Sequence, residues 1–196
     1  MSLARKVVEL GVDPLKALGM MTNAMKQVDK GLVRGDLALS DVMLSVYATK
    51  CALPIIEQEL RRTGKGVKTL GRVVIGTVHG DIHDMGKTMV STMLTVAGFE
   101  VIDLGVDVTT ENFVEAIESH RPDILAMSAF LTTTASEPEQ VIGILKERGL
   151  RDKLGIIVGG GAMTPELTQR AGGDGYERTA DGAVGLAKKL VDAESP

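Results

Sequence analysis

Aromatic residues and cysteine are scarce in this chain. Among its 196 residues there is no tryptophan, and there are only two tyrosines, three phenylalanines and one cysteine. We therefore do not expect recognition by aromatic stacking. Cys51 cannot form an internal disulfide, and we predict that it is a buried apolar residue of a cytoplasmic protein.

Long apolar runs and clusters of positive charge are also missing. We find no run suited to spanning a bilayer or acting as a secretory signal, so we expect no membrane partner. The 22 lysines and arginines are outnumbered by 26 aspartates and glutamates, which gives a net charge of −4. Because nucleic acids bind clustered cations, we expect no nucleic-acid partner.

The remaining composition is that of a globular protein. Hydrophobic residues make up 44% of the chain and charged residues 24%, which excludes extensive disorder. A chain of this length forms one large domain or two small ones. We predict two: a helical domain at 1–66 and a second domain at 67–196.

The first of these domains has helical periodicity. Apolar residues recur at steps of three and four, which predicts three or four short helices with an apolar core that includes Met21, Met25, Met43 and Val46. We expect Pro54 to bend or restart the last helix, and Gly64 and Gly66 to end it. The basic, glycine-rich segment 61–71 is interpreted as the linker.

From Gly71 onward, short β-branched runs alternate with amphipathic stretches. This alternation predicts a parallel α/β sheet with helices on both faces and a flavodoxin-like, Rossmann-like strand order of 2-1-3-4-5. The predicted strands are 72–78, 100–105, 123–130, 155–161 and a weaker one at 175–177. The predicted helices are 87–97, 111–119, 138–148, 165–171 and 181–191. Ligands bind beyond the carboxyl ends of such strands.

The segment "HGDIHDMGKT", residues 79–88, follows the first predicted strand. A phosphate-binding P-loop needs four residues between its glycines, but Gly80 and Gly86 enclose five. Asp81 would also place a carboxylate against the phosphate. We therefore reject a P-loop and interpret Lys87 and Thr88 as ordinary residues of the first helical turn.

A dinuclear metallophosphatase site is the second interpretation of this segment, because "GDIH" supplies one aspartate and one histidine. Such a site needs further histidine, asparagine and aspartate ligands downstream. Only His120 remains, and its position before Arg121-Pro122 is typical of a solvated helix end. The sequence does not favour this site.

The third interpretation joins the loop to the ends of two later strands. Asp81-x-His83-x-x-Gly86 is followed by 41 residues (87–127), then Ser128-x-Phe130, then 28 residues (131–158), then Gly159-Gly160. This pattern resembles the D-x-H-x-x-G, S-x-L, G-G fingerprint of cobalamin-binding corrinoid proteins, with Phe130 in place of leucine. The preceding helices resemble the helical domain of methyltransferase corrinoid proteins, so the resemblance covers nearly the whole chain.

The resemblance implies a role for each residue of the fingerprint. His83 would be the ligand of cobalt, in place of the cofactor's own benzimidazole, and Asp81 would hold the other ring nitrogen. Thr134 would extend this pair into a relay that takes up a proton when cobalt is reduced. Ser128 would bind the displaced benzimidazole, and the remaining cofactor-binding residues would be Gly86, Phe130, Thr132, Gly159 and Gly160.

The function implied is that of a corrinoid methyl carrier. It would accept a methyl group on Co(I) cobalamin from a substrate-specific methyltransferase for methylamines, methanol or methyl ethers, as in O-demethylases. It would deliver the methyl group to an acceptor-side methyltransferase that uses tetrahydrofolate or a thiol. A reductive activating protein and a homodimer are further expected partners, and the chain would have no complete substrate site of its own.

Two other functions remain open at this stage. Cobalamin-dependent sensors combine similar helical and cobalamin modules behind a DNA-binding domain, but no helix-turn-helix fits before residue 13 and the tryptophan of light-sensing versions is missing. Small subunits of radical mutases share the fingerprint but normally lack the helical domain. Residues 1–66 discriminate against the mutases.

Overall fold

The N-terminal part of the chain is a set of three helices in the computed structural model, which describes residues 3–63 and 69–193. They are α1 (Leu3–Glu9), α2 (Pro14–Arg34) and α3 (Leu39–Arg62). The Asp13 side chain caps α2 by accepting from Leu15 N at 3.0 Å, and Gly35 ends the helix with a φ of 78°. The sequence predicted shorter elements than the two long helices observed.

The helix α3 runs through Pro54 without restarting. Of the predicted bend or restart, the restart was therefore wrong, because packing of α3 against its neighbours offsets the hydrogen bond that a proline removes, and the bend stays a prediction. By length and composition alone, Leu39–Leu60 of α3 could also cross a membrane, with a mean hydropathy of 1.3 and 22% of the window buried. The expectation that no run reaches this length was wrong, although core helices of soluble proteins pass the same test.

Residues 69–193 form a parallel sheet in the order β2-β1-β3-β4-β5, as predicted. Its strands are β1 (Arg72–Thr77), β2 (Glu100–Asp103), β3 (Ile124–Ser128), β4 (Gly155–Gly159) and β5 (Gly175–Tyr176). The intervening helices are α4 (Met85–Ala97), α5 (Thr110–His120), α6 (Glu137–Glu147), α7 (Pro165–Ala171) and α8 (Ala180–Ala193), with short 3₁₀ helices at Thr132–Thr134 and Arg151–Lys153.

The register of the three central strands aligns their carboxyl ends. Thr77 of β1 pairs with Ser128 of β3, and Ser128 pairs in turn with Gly159 of β4. The segments that follow these residues therefore leave the sheet at one level. They are the loop 78–84, the segment 129–136 and the glycines that follow β4.

The two faces of the sheet are covered differently. Phe113 of α5 and Ile142 of α6 lie in the core of one face. The other core joins α4 and α8 to the N-terminal helices, so that Met25 and Val46 pack in the same cluster as Val73. The N-terminal helices thus share a core with the sheet.

Two predictions of burial in the helical segment were wrong. Met43 is 55% exposed, and Cys51 is exposed as well. Both lie on α3, whose inward positions are taken by other apolar residues, among them Val42 and Val46. Gly64 and Gly66, with the middle of the predicted linker, lie outside the described residues.

Candidate functional site

The carboxylate of Asp81 is the centre of the loop that follows β1. The residue is fully buried, and its Oδ1 accepts from the backbone N of His83 at 3.0 Å and faces the Nδ1 of His83 at 2.7 Å. Its Oδ2 accepts from the backbone N of Phe130 at 2.6 Å and of Leu131 at 3.3 Å. This one side chain therefore joins the loop after β1 to the segment after β3.

These hydrogen bonds keep the Asp81 side chain ionised. Burial alone would raise the pKa of the carboxyl, but the bonds donated by His83, Phe130 and Leu131 outweigh burial and lower the pKa to about 2. A carboxylate that accepts several backbone N–H bonds is stabilised in its charged form. At neutral pH Asp81 is therefore an acceptor on both of its oxygens.

The imidazole of His83 is held at one nitrogen and open at the other. An ionised Asp81 places the proton on Nδ1, which leaves the Nε2 lone pair free to bind a metal. The His83 side chain is 46% exposed, and its ring stacks on Phe130 with centroids 4.5 Å apart and planes at 27°. Asp81 and Phe130 thus fix the orientation of the ring, while Nε2 remains available.

Thr134 completes the group around Asp81. Its hydroxyl is buried and lies 3.3 Å from Asp81 Oδ2 and 2.9 Å from the carbonyl oxygen of Leu131. With one proton, the hydroxyl donates to one of these two acceptors at a time. Thr132, in contrast, is exposed on the 3₁₀ helix and contributes no side chain to the cavity beside the loop.

That cavity has a volume of about 810 Å³ and opens beyond the carboxyl ends of the strands. Six of the predicted site residues line it: His83, Gly86, Ser128, Phe130, Gly159 and Gly160. The structure adds wall residues that sequence reasoning missed. They include Leu39 of the helical segment, Ile82, Lys87, Gly161, and the residues 176–180 and 183 around the start of α8.

The glycines of the cavity differ in what a side chain would meet at each position. A Cβ on Gly86 would meet no atom within 4 Å, so the position is open toward the cavity. Gly160 has a φ of 111°, and a Cβ there would collide with the backbone of Ala129, whose N would lie 2.9 Å away. At Gly159, a Cβ would lie 3.2 Å from the carbonyl oxygen of Glu177. The close approach at Gly160 is therefore between two segments of the protein itself.

Lys87 is the residue whose environment differs most from the sequence-based expectation. It is 4% exposed in the first turn of α4, and its Nζ donates to both carboxylate oxygens of Asp103 at 2.6 and 2.7 Å. The predicted place in the first helical turn is confirmed, but the burial and the ion pair were not predicted. Lys87 lies in the first turn of α4 and Asp103 ends β2, so both stand at the same edge of the sheet, and this placement could have indicated the pair.

A second histidine–aspartate pair lies beside the first. The Nδ1 of His79 is 2.8 Å from Asp107 Oδ1, and both side chains are more than half exposed. The backbone N of Gly80 donates to Asp107 and, together with the neighbouring imidazole of His79, lowers the pKa of that carboxyl. His120 lies exposed at the end of α5, as predicted.

The residues present fit a corrin better than a bare metal ion. Among residues 3–63 and 69–193, no three histidine, cysteine, aspartate or glutamate side chains cluster so as to hold a metal ion. A single imidazole is sufficient for cobalamin because the corrin supplies the four equatorial nitrogens. The cavity beside His83, with its glycine-lined wall, leaves room for a group much larger than an ion.

Comparison with known proteins identifies the family. Residues 71–185 match the model of the B12 binding domain. The chain is 38% identical over 191 residues to a corrinoid protein of Desulfitobacterium hafniense strain Y51, covering 96% of this chain and 88% of that protein. It is 37% identical over 190 residues to trimethylamine corrinoid protein 2 of Methanosarcina mazei, covering 96% and 87%.

A solved structure is similar over the same extent. In the crystal structure of the methanol:cobalamin methyltransferase complex of Methanosarcina barkeri, one chain superposes with a TM-score of 0.73 at 29% identity, covering 96% of this chain and 71% of that one. The likeness thus extends over the helical segment as well as the sheet. The chain belongs to the B12-binding corrinoid proteins of methyltransferase systems, and its cofactor is cobalamin.

Proposed function

We propose that this chain carries methyl groups between two partner methyltransferases, with His83 as the protein's ligand to cobalt. The observation that carries the proposal is the geometry of His83, whose Nδ1 is held by a buried carboxylate while its Nε2 is free at the cavity. Cobalamin, when bound, supplies a cobalt centre that accepts a methyl group and gives it up. The protein supplies the axial imidazole, its orientation and the surrounding walls.

The proton on His83 Nδ1 is the part of the chemistry that these residues control. Asp81 Oδ1 accepts a hydrogen bond from this Nδ1–H, which raises the donor strength of Nε2. A His83 whose Nε2 is not bound to cobalt could take up a second proton there, and the ionised Asp81 would stabilise the resulting imidazolium. The Thr134 hydroxyl, 3.3 Å from Asp81 Oδ2, can strengthen its bond to the carboxylate or turn to Leu131 as the charge changes.

Ser128, Gly86, Gly159 and Gly160 support the binding of the cofactor's detached nucleotide tail. Ser128 stands at the end of β3 on the cavity wall, where its hydroxyl can donate to the benzimidazole. Gly86 contributes an open surface to the same wall. Phe130 packs on His83 and lines the cavity on that side. We include Thr132 only as an exposed residue of the segment that follows Phe130.

The partners are inferred from the substrate-binding sites that the cavity does not provide. Because the cavity at the strand ends is assigned to the cofactor, we infer that the substrates are bound elsewhere, by a substrate-specific methyltransferase and an acceptor-side methyltransferase. The solved Methanosarcina barkeri complex, a methanol:cobalamin methyltransferase, supports this division of labour. Methylamines, methanol and methyl ethers are the donor classes that we propose, with tetrahydrofolate or a thiol as acceptor.

The remaining parts of the proposal concern the setting of the protein. We propose a cytoplasmic protein without nucleic-acid or membrane partners, served by a reductive activating protein and able to form a homodimer. The division at residue 66 into a helical and a cobalamin-binding domain belongs to the same proposal.

The test is methyl transfer to the reduced holoprotein. We would mix it with methyltransferases for methylamines, methanol and aryl methyl ethers, each with its donor, and follow the visible spectrum for loss of the reduced cofactor. Methylation by one of these pairs supports the carrier. Failure with every pair, together with light-dependent changes in oligomeric state, would replace the carrier with a sensor.

A further inference from the structure

Asp29 is a buried carboxylate that the proposed chemistry does not use. It lies in the middle of α2 and is 5% exposed. Charged side chains are rarely buried unless they are paired or hydrogen-bonded. Its partners are found 151 and 152 residues away, because Oδ1 accepts from the backbone N of Ala180 at 3.4 Å and Oδ2 from that of Asp181 at 3.3 Å.

These two N–H groups belong to the first turn of α8. A helix leaves its first N–H groups without partners inside the helix, and a carboxylate at that end also interacts favourably with the helix dipole. The next N–H, that of Gly182, donates to the Thr179 hydroxyl at 3.1 Å. The first turn of α8 therefore depends on α2 for two of its hydrogen-bond acceptors, while Thr179 supplies the third.

A second contact holds the same two elements together. Lys26, three residues before Asp29 on α2, has its Nζ 3.0 Å from Asp181 Oδ1. Residues three apart lie on the same face of a helix, so Lys26 and Asp29 both face the start of α8. This pair is partly exposed, with side-chain exposures of 41% and 32%, and adds less than the buried carboxylate.

The start of α8 is also a wall of the cobalamin cavity. Thr179, Ala180 and Ala183 line the cavity, together with the preceding residues 176–178. Ala180 thus donates its N–H to Asp29 and borders the cavity as well. A contact from α2 fixes the position of a cavity wall that belongs to the far end of the sequence.

We propose that Asp29 is a positioning residue for the cofactor: by capping α8 from the helical segment, it holds the wall formed by residues 176–183 in place against bound cobalamin. The inference rests on the proposed function only in taking this cavity as the seat of the cofactor's nucleotide tail. It assigns Asp29 no contact with cobalamin. Loss of the carboxylate leaves the Ala180 N–H buried without an acceptor, and the first turn of α8 then opens more often.

The experiment measures the opening of the first turn of α8 and the release of cobalamin separately. Hydrogen exchange of the amides of residues 180–183 is followed in the apoprotein of the wild type, Asp29→Ala and Asp29→Asn. Cobalamin release from each holoprotein into an excess of a cobalamin-binding competitor is followed by absorbance. Thr109→Ala is the matched control, because Thr109 caps α5 through Asn112 N at 3.3 Å, away from the cavity.

We expect Asp29→Ala to exchange faster at residues 180–183 and to release cobalamin about tenfold faster than the wild type, the effect of losing one buried hydrogen bond. Asp29→Asn, which keeps one acceptor oxygen, should lie between them, and it also serves if Asp29→Ala does not fold. Thr109→Ala should change neither quantity, although it destabilises α5.

Unchanged exchange at residues 180–183 in both Asp29 variants would overturn the capping role. Faster exchange with cobalamin release equal to that of Thr109→Ala would overturn the link to the cofactor. A wild-type protein that does not retain cobalamin would instead overturn the assignment of the cavity, and the exchange measurement on the apoprotein would still decide whether Asp29 holds α8.

Discussion

His83 Nδ1 and Asp81 Oδ1 lie 2.7 Å apart across a single intervening residue, and the two side chains differ sharply in exposure. Asp81 is fully buried, whereas His83 is 46% exposed. The acid is thus anchored in the protein and the imidazole extends from it toward the cavity. Orientation of the exposed ring depends on a group that solvent does not reach.

Replacement of His83 by alanine should change the visible spectrum of the cobalamin-loaded protein. The alanine variant removes the free Nε2, so water or the cofactor's own base takes the axial position and the absorption bands shift. The measurement is the spectrum of purified holoprotein before and after the change. Binding itself should persist, because the other walls of the cavity are unaltered.

His79→Ala is the matched control for this prediction. His79 belongs to the same loop and is likewise held by a carboxylate, at 2.8 Å from Asp107. The visible spectrum of the cobalamin-loaded His79→Ala variant should match that of the wild type. A spectrum that changes in His79→Ala and not in His83→Ala would move the ligand to the other imidazole.

Stability should fall in acid through Asp81. Its pKa is lowered from an ordinary 3.8 to about 2 in the folded protein, so its ionised form contributes stability above about pH 4 that is lost as the pH falls toward 2. The loss amounts to about 2 kcal/mol between pH 5 and pH 2. Urea unfolding of the apoprotein across this range measures it.

Asp81→Asn isolates this contribution from that of other carboxylates. The variant cannot titrate at position 81, so its free energy of unfolding should fall less steeply between pH 5 and pH 2 than that of the wild type. Parallel curves for the two proteins would contradict the lowered pKa. The variant should be less stable than the wild type at neutral pH, since an amide accepts with only one atom.

The Lys87–Asp103 ion pair should respond unequally to removal of its two members. Asp103→Asn leaves a buried ammonium without its counter-charge and should cost about 3 kcal/mol of unfolding free energy. Lys87→Met should cost about 1 kcal/mol, because Asp103 is 28% exposed and keeps its bond from Gly105 N at 2.9 Å. Urea unfolding of the apoproteins compares them, and equal losses would argue against burial as the cause.

Two glycine variants should separate folding from cofactor binding. The methyl group of Gly160→Ala would collide with the backbone of Ala129, and the backbone φ of 111° is strained for any residue with a side chain. The variant should therefore destabilise the apoprotein by about 2 kcal/mol or more. Gly86→Ala meets nothing within 4 Å and lies in a helix, so it should not destabilise the apoprotein.

The affinity for cobalamin completes that comparison. The methyl group of Gly86→Ala occupies space at the cavity wall, and we expect a loss of affinity of roughly tenfold in spite of the intact fold. Titration of each apoprotein with cobalamin measures the affinity. A Gly86→Ala protein that binds like the wild type would remove Gly86 from the cofactor site.

Strand order and the meeting of Asp81, His83 and Ser128 at one sheet edge could be predicted from the sequence. The buried strands are short β-branched runs, and parallel strands place their carboxyl ends together whatever lies between them. The role of Thr134 came only from the resemblance to the family, and it stays a prediction; its buried hydroxyl lies 3.3 Å from Asp81 Oδ2.

Contacts between distant segments could not be predicted. Periodicity marks apolar positions of α3 but does not say which face meets the sheet, so Met43 and Cys51 were assigned to the core although both are exposed. Asp29 is buried by partners that lie 151 and 152 residues away along the chain. A single sequence carries no signal for pairing of this kind between acids and distant amides.

Because Thr77, Ser128 and Gly159 share one register, the effect of an inserted residue on the site depends on where in the chain it is inserted. A residue inserted into the surface turn after α5 would alter the count between the fingerprint's pieces yet leave every strand end where it is. One inserted within β3 would push Ser128 past its neighbours and carry the Phe130 amide away from Asp81. The number of residues between the parts of the fingerprint therefore depends on the lengths of the intervening helices and loops. It can differ between related proteins as long as the strand ends stay aligned.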